Sequence, residues 1–137
     1  MSYLVCDTDF LIKSTTIPLP SLAMFLAESG YELATIDRVK MELEGLLKSR
    51  NQVTARKAGA AIRSISSGSV KVLKSDLPPG HKTDADTLLI DLAAQSSKKG
   101  ENVVIATLDH TLLSILEKRR LPYLTLRDDR PLFRTFS

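Results

Sequence analysis

The sequence of 137 residues is poor in residue types that often mark a functional site: one cysteine, two histidines and no tryptophan. The single cysteine, Cys6, cannot form an internal disulfide, which favours a reducing compartment, and we expect the cytoplasm. His81 and His110 lack partners at the spacing of zinc ligands, so a zinc site is not expected. Cys6 has no base near it in the sequence, which favours a small strand residue over a nucleophile.

Long apolar runs are also missing. A membrane-spanning helix needs about 20 consecutive apolar residues, and the apolar runs of this chain are much shorter. Asp7 and Asp9 interrupt the first of them, which is not the pattern of a signal peptide. Apolar residues make up 43% and charged residues 26%, as in ordinary globular proteins. We therefore expect no membrane segment and a single domain over residues 1–137.

Acidic residues are absent from one long segment. The net charge of the chain is only +3, but every charged residue between positions 48 and 74 is basic: Lys48, Arg50, Arg56, Lys57, Arg63, Lys71 and Lys74. A block of one sign is typical of a surface that binds phosphates. It is equally typical of a solvated helix face, and the charge pattern alone does not separate these interpretations.

Short apolar runs alternate with longer amphipathic segments. The pattern predicts strands at 2–6, 31–36, 69–75, 102–108 and 122–127. It predicts helices at 20–29, 37–50, about 53–65, 84 to about 98, and 109–120, with a loop at 76–83. Asp37 is expected to be the N-cap of its helix and Asp109 to open another, while Gly30 and Gly100 are expected to end helices. Strands alternating with helices predict one α/β sandwich around a parallel sheet.

Acidic side chains stand where the strands of such a sheet end. Asp7 and Asp9 follow the first strand, and Asp109 follows the strand at 102–108. Asp84 and Asp86 open a predicted helix, and Glu42 lies about one turn into another predicted helix. Functional groups of parallel α/β proteins gather outside the carboxyl ends of the strands. The chain therefore predicts an acidic cluster at one edge of the sheet.

Each of these acids also has a purely structural interpretation. An Asp between a strand and a helix is more often an N-cap than a ligand, which suits Asp84 and Asp109 taken singly. Glu42 could instead pair with Arg38 or Lys40 on its own helix. Asp91 lies five residues beyond Asp86 and shares no close helical face with it, so we leave it out of the predicted site.

Taken together, the acids favour a metal site. Carboxylates held within a few ångströms repel one another unless a cation neutralises them. Ligation by oxygen alone, without His or Cys, suits Mg²⁺ or Mn²⁺ rather than zinc or copper. Such ions activate water and steady the leaving oxygen in phosphodiester hydrolysis.

Four short motifs follow one another along the chain. They are LVCDTDFLI with Asp7, VKMELEGL with Glu42, DADTLLIDLA with Asp86 and Asp84, and VVIATLDHTLLSIL with Asp109. In their residues, order and spacing they resemble the motifs of the PIN-domain nucleases, over nearly the whole chain. Two positions depart from that family, which often has Asn where Asp9 and Leu108 stand. Neither departure removes an expected metal ligand.

The resemblance implies a Rossmann-like three-layer α/β/α sandwich and a Mg²⁺- or Mn²⁺-dependent endoribonuclease. Its metal ligands would be Asp7, Glu42, Asp86 and Asp109, with Asp84 completing the set directly or through water. The hydroxyls of Thr8 and Thr107 would contact a carboxylate or phosphate, with plain strand packing as the alternative. Excess basic residues, best represented by Arg56, Lys57 and Arg63, would hold the RNA backbone, and ordinary helix solubility is the alternative for these three.

The resemblance also implies partners. Many members of the family act on single-stranded or structured RNA, and many form homodimers. Some are toxins countered by an antitoxin, and others trim ribosomal RNA precursors, where a ribosome-assembly partner is expected. The final stretch RDDRPLF favours the archaeal-type processing branch. A toxin ribonuclease and a non-catalytic RNA-binding or scaffold module remain the alternatives, although all the assigned carboxylates are present, which argues against the second.

Overall fold

The structure of the chain, a computed structural model, describes residues 2–74 and 84–136. Strands β1 to β6 are Ser2–Cys6, Glu32–Ile36, Lys71–Leu73, Asn102–Ala106, Tyr123–Arg127 and Arg130–Arg134. Helices α1 to α6 are Thr8–Thr16, Pro20–Ser29, Asp37–Leu46, Gln52–Ser66, Ala85–Lys99 and His110–Lys118. The predicted loop at 76–83 lies outside the described residues.

All six strands form one sheet in the order β3-β2-β1-β4-β5-β6. The first five are parallel, and β6 pairs antiparallel with β5. After β1 the chain builds outward through β2 and β3, then crosses to β4 on the other side of β1. The strand order therefore reverses between β1 and β4, where open α/β sheets form a crevice at their carboxyl ends.

Helices cover both faces of the sheet, which confirms the Rossmann-like three-layer sandwich. The central strands show why: consecutive residues such as Leu4 and Val5 of β1, or Val104 and Ile105 of β4, are all buried although their side chains point to opposite faces. Helices α1, α3 and α4 contact one another, while α5 packs on β4 and α2 on β6. Apolar runs without alternation thus identify the strands that are buried on both sides.

Two elements were not predicted. Helix α1 contains three threonines, which lower helix propensity, and it is held instead by the capping Asp7 and by Phe10 and Leu11, both fully buried. Strand β6 contains Pro131, and a tight turn with positive φ at Asp128 and Asp129 folds it back on β5. The prediction that the chain ends its sheet with the strand at 122–127 was therefore wrong.

One predicted cap was also wrong. Asp37 is the first residue of α3 rather than its N-cap, and Ile36, the last residue of β2, holds the cap position. The Asp37 carboxylate accepts a hydrogen bond from the N–H of the next residue, Arg38. The helix ends at Leu46 rather than at residue 50, because a turn precedes Asn51, which caps α4.

Within the described residues, no single helix has the length and apolar composition to cross a membrane. Helices α1 and α2 reach that composition only together, and they are bent by 105° relative to each other.

Helix α6 offers a direct test of the packing. Leu116 is fully buried and its neighbour Ile115 is 36% exposed, so Leu116→Ala should lower the free energy of unfolding by about 2–5 kcal/mol through reduced burial and a cavity. Ile115→Ala, the matched control in the same helix, should change it by about 0.5 kcal/mol or less. Urea unfolding followed by circular dichroism measures both. Equal losses in the two variants would mean that α6 is not docked through Leu116.

Candidate active site

An acidic pocket lies where β1 and β4 end. These neighbouring parallel strands pair with Cys6 opposite Ala106, so the residues that follow them emerge side by side. The pocket has a volume of about 330 Å³. Its lining is Asp7, Thr8, Asp9, Glu42, Asp84, Ala85, Asp86 and Asp109. All five acids predicted as metal ligands therefore line one pocket, and their role as ligands stays a prediction.

Asp7 is the most firmly held of these acids. It directly follows β1, and its N–H donates to the carbonyl of Ala106 on β4 at 3.0 Å. Its carboxylate caps α1, with Oδ1 accepting from the N–H of Phe10 at 2.9 Å. The side chain is only 7% exposed. A strand end and a helix start thus meet in one residue, which fixes the backbone on both sides of it.

Thr107 connects the two strand-end aspartates. Its hydroxyl donates to Oδ2 of Asp7 and accepts from the N–H of Asp109 at 3.0 Å. Thr107 is fully buried, so this geometry supports the predicted contact to a carboxylate and gives the side chain no surface for a phosphate. The hydroxyl joins Asp7 to the loop that carries Asp109.

Asp84 and Asp109 are both helix caps and pocket residues. Oδ1 of Asp84 accepts from the N–H of Thr87 at 2.8 Å, and Oδ1 of Asp109 accepts from the N–H groups of Thr111 and Leu112. In each case the cap uses one oxygen of the carboxylate, so capping and lining the pocket are compatible. These residues therefore cap their helices and line the pocket at the same time.

Glu42 reaches the pocket from α3 and is held by Thr8. The Thr8 hydroxyl donates to Oε2 of Glu42 at 2.6 Å. Among the described residues, the salt bridges join Lys13 to Asp129 and Arg134 to Glu117, so the alternative pairing of Glu42 with Arg38 or Lys40 is not formed. Thr8 therefore acts on a carboxylate, as one of its predicted roles required.

The acids perturb one another. The pKa of Asp7 is raised to about 6, chiefly by burial and, to a smaller extent, by the nearby Asp9 and Asp86. The hydrogen bonds that Asp7 accepts from Thr107 and Phe10 act in the opposite direction and lower this pKa. Burial also raises the pKa of Asp86, assisted by four carboxylates: Asp109, Asp84, Glu42 and Asp9. Asp84 instead has a lowered pKa, because Thr87 hydrogen-bonds its carboxylate and Arg38 is near. The pocket therefore concentrates negative charge.

The acids that line the pocket offer carboxylate oxygens, which are the ligands that a hard cation such as Mg²⁺ prefers. Their arrangement does not form a complete coordination site. Across residues 2–74 and 84–136, no group of three or more His, Cys, Asp and Glu side chains is placed to hold a metal ion. Mg²⁺ keeps several waters and often takes only one or two protein carboxylates, so the pocket satisfies the chemical requirement without a ready-made cage.

The other predicted residues lie away from the pocket. Arg56, Lys57 and Arg63 are exposed on α4, which packs against α1 and α3, and none of them lines the pocket. Asp91 is exposed on α5 and also lies outside the pocket lining.

Neither Cys6 nor His110 lines the pocket. Cys6 is fully buried. Burial, and to a smaller extent the charge of the nearby Asp7, raises the pKa of its thiol, as expected for a strand residue rather than a nucleophile. His110 begins α6 and is exposed. His81 lies outside the described residues.

Sequence reasoning left two lining residues unassigned. Asp9 lines the pocket and raises the pKa of both Asp7 and Asp86, although its position in the sequence did not show whether it would face the site. Ala85 lines the pocket from the start of α5, and no feature of an alanine in sequence could have indicated that.

Among solved structures, the chain is similar to the PIN domain endonuclease Utp24. The TM-score is 0.67 at 20% sequence identity, and the similarity covers 98% of this chain and 96% of that one. No family model and no curated protein matches the sequence. At this identity the comparison establishes the fold. It confirms the PIN-like fold that the four sequence motifs predicted.

The pKa of Asp7 predicts a pH effect on stability. Its folded value, about 6, lies above its ordinary value of 3.8, so between about pH 4 and about pH 6 the folded chain holds a proton that the unfolded chain has released. The contribution of Asp7 to stability therefore falls as the pH rises through this window. Relative to Asp7→Asn, the free energy of unfolding of the wild type should drop by about 3 kcal/mol across it. Urea unfolding in EDTA measures this difference, and parallel pH profiles would contradict it.

Proposed function

We propose that the chain is a Mg²⁺- or Mn²⁺-dependent endoribonuclease that hydrolyses phosphodiester bonds of RNA. The observation that carries the proposal is the pocket at the carboxyl ends of β1 and β4, lined by acids from four separate segments of the chain. Separate segments would not each deliver a carboxylate to one place for capping alone, because the resulting repulsion opposes folding. The PIN-like fold of the chain supports the same reaction class.

The ligands of the metal ion would be Asp7, Glu42, Asp86 and Asp109, with Asp84 beside them. When bound, a divalent ion at this place supplies charge neutralisation, an acidified water and stabilisation of the phosphoryl oxygens. The raised pKa values of Asp7 and Asp86 reflect burial and like charges that a cation would offset.

The chain's own residues divide the remaining work. Both oxygens of Asp7 accept hydrogen bonds from the protein, so Asp7 is an anchor rather than a proton acceptor. A carboxylate of the pocket would help to remove the proton of the attacking water, while the Thr8 hydroxyl holds Glu42 in orientation.

The RNA backbone would be held by the basic surface of α4. Arg56 and Arg63 lie seven residues apart, two turns along one helix face, with Lys57 beside them, and all three are exposed. Helix α4 contacts α1, the helix that Asp7 caps, so the two helices belong to the same layer of the sandwich. Charge of this kind binds phosphates without reading bases.

The proposed setting is the processing of ribosomal RNA precursors. It rests on the sequence resemblance, including the RDDRPLF stretch that forms the β5–β6 hairpin. A precursor ribosomal RNA fragment is therefore the substrate to try beside unrelated single-stranded and structured RNA. Cutting of unrelated RNA alone would favour the toxin alternative, and binding without any cutting would favour the non-catalytic module.

The proposed reaction predicts metal-dependent cleavage that requires individual carboxylates. Asp109→Asn and Asp86→Asn should each lower the rate of RNA cleavage in Mg²⁺ or Mn²⁺ by about 100-fold or more, and EDTA should abolish cleavage by the wild type. Asp91→Asn is the matched control, since Asp91 is exposed on the same helix as Asp86 but outside the pocket. Fragment analysis on gels measures the rates. Cleavage that survives both pocket substitutions would place the activity elsewhere or in a contaminant.

The α4 surface predicts a weakening of RNA affinity that is independent of sequence. The triple variant Arg56→Gln, Lys57→Gln, Arg63→Gln should weaken binding to all RNA probes alike and reduce the slope of log K against log salt by about 1 for each phosphate that the variant no longer neutralises. Replacing the exposed Lys98 and Lys99 of α5 by Gln is the control. Fluorescence anisotropy at several salt concentrations measures both slopes. An unchanged slope in the triple variant would assign these residues to solubility.

A further inference from the structure

The peptide unit between Cys6 and Asp7 is tied on both sides. Its N–H, that of Asp7, donates to the carbonyl of Ala106 on β4 at 3.0 Å. Its carbonyl, that of Cys6, accepts from the hydroxyl of Thr35 on β2 at 2.8 Å. One peptide at the end of the central strand is therefore bonded to both neighbouring strands, once by backbone and once by a side chain.

Thr35 is an unusual residue for its position. It lies in β2 between Ala34 and Ile36, and all three are buried, with Thr35 fully so. Its hydroxyl is the polar group of an otherwise apolar strand end. Burying a hydroxyl without a partner is costly, so the bond to Cys6 both satisfies Thr35 and fixes the carbonyl that precedes Asp7.

The place of this bond in the sheet matters. The paired register of β1 and β2 runs to Val5 opposite Ala34, and Cys6 and Thr35 are the next residues along. The hydroxyl thus extends the attachment of β1 to β2 by one residue, to the last peptide before the acidic pocket.

We infer that Thr35 is a positioning residue for Asp7, acting through the Cys6–Asp7 peptide. Displacement of this peptide would move the Asp7 Cα, and the carboxylate could then no longer reach both the Phe10 N–H and the Thr107 hydroxyl. Partners that orient a ligand without touching the metal commonly change metal affinity by about 10- to 100-fold. This inference rests on the proposed role of Asp7 as a metal ligand.

The test compares three variants by Mn²⁺ binding, measured by calorimetry on protein that circular dichroism shows to be folded. Thr35→Val removes the hydroxyl and keeps the shape, and Thr35→Ser restores a hydroxyl. Thr15→Val is the matched control, because the Thr15 hydroxyl also donates to a backbone carbonyl at 2.8 Å, that of Leu11 within α1. Hydrogen exchange of the Asp7 amide is followed in all proteins, since it reports the peptide without any metal.

We expect Thr35→Val to weaken Mn²⁺ binding by about 10-fold or more, Thr35→Ser to return it to within about 3-fold of wild type, and Thr15→Val to leave it unchanged. The Asp7 amide should exchange faster in Thr35→Val alone. A variant Thr35→Val that is less stable but binds Mn²⁺ as tightly as wild type would overturn the inference and leave Thr35 a packing residue. If the wild type itself binds no Mn²⁺, the proposed function fails, and the exchange rate of the Asp7 amide alone decides the role of Thr35: an unchanged rate rejects it.

Discussion

The arrangement of this protein depends on holding a carboxylate in the interior at the end of its central strand. Asp7 follows β1 directly, and burial raises its pKa to about 6. Such a group is unfavourable when ionised, and the surrounding hydrogen bonds from Phe10 and Thr107 only partly offset the cost. The other acids lie around a residue whose ionised form is already unfavourable. The carboxyl ends of the central strands therefore hold more negative charge than maximal stability would allow.

Stability and the proposed function therefore make opposite demands on the same residues. Replacing any one acid of the pocket by its amide would reduce the repulsion between the carboxylates. The pocket nevertheless contains acids from the end of β1, from α3, from the start of α5 and from the loop after β4. Proteins keep destabilising groups mostly where a site requires them. The hydrogen bonds around Asp7 and Glu42 act in the same direction, because they orient carboxylates that the core does not need.

Much of the fold was predictable because the buried strands and the capped helices carry strong local signals. Apolar runs identified β1 and β4, and Asp84, Asp109, Gly30 and Gly100 marked helix ends correctly. Helix α1 was missed because packing of Phe10 and Leu11 outweighs the poor propensity of its threonines. Strand β6 was missed because its proline and short length are unlike a strand until a turn brings it to β5.

The site divides in the same way. The four motifs predicted five of the six carboxylates that share the pocket, all except Asp9. The bonds that orient them were not predictable, because Thr8 to Glu42, Thr107 to Asp7 and Thr35 to Cys6 span 34, 100 and 29 positions of sequence. Contacts across such separations depend on the strand order, which is a property of the whole sheet and leaves no local pattern.

The two outer strands of the sheet have a consequence for assembly. At one edge β3 has only three residues and begins with the exposed Lys71, and at the other β6 carries the exposed Arg130 and Arg134 beside Pro131. Short strands, like charges and proline all discourage an additional strand from pairing with an open edge. Two copies of the chain are thus poorly suited to join into a continuous sheet, so self-association would use helical surfaces rather than the open strand edges.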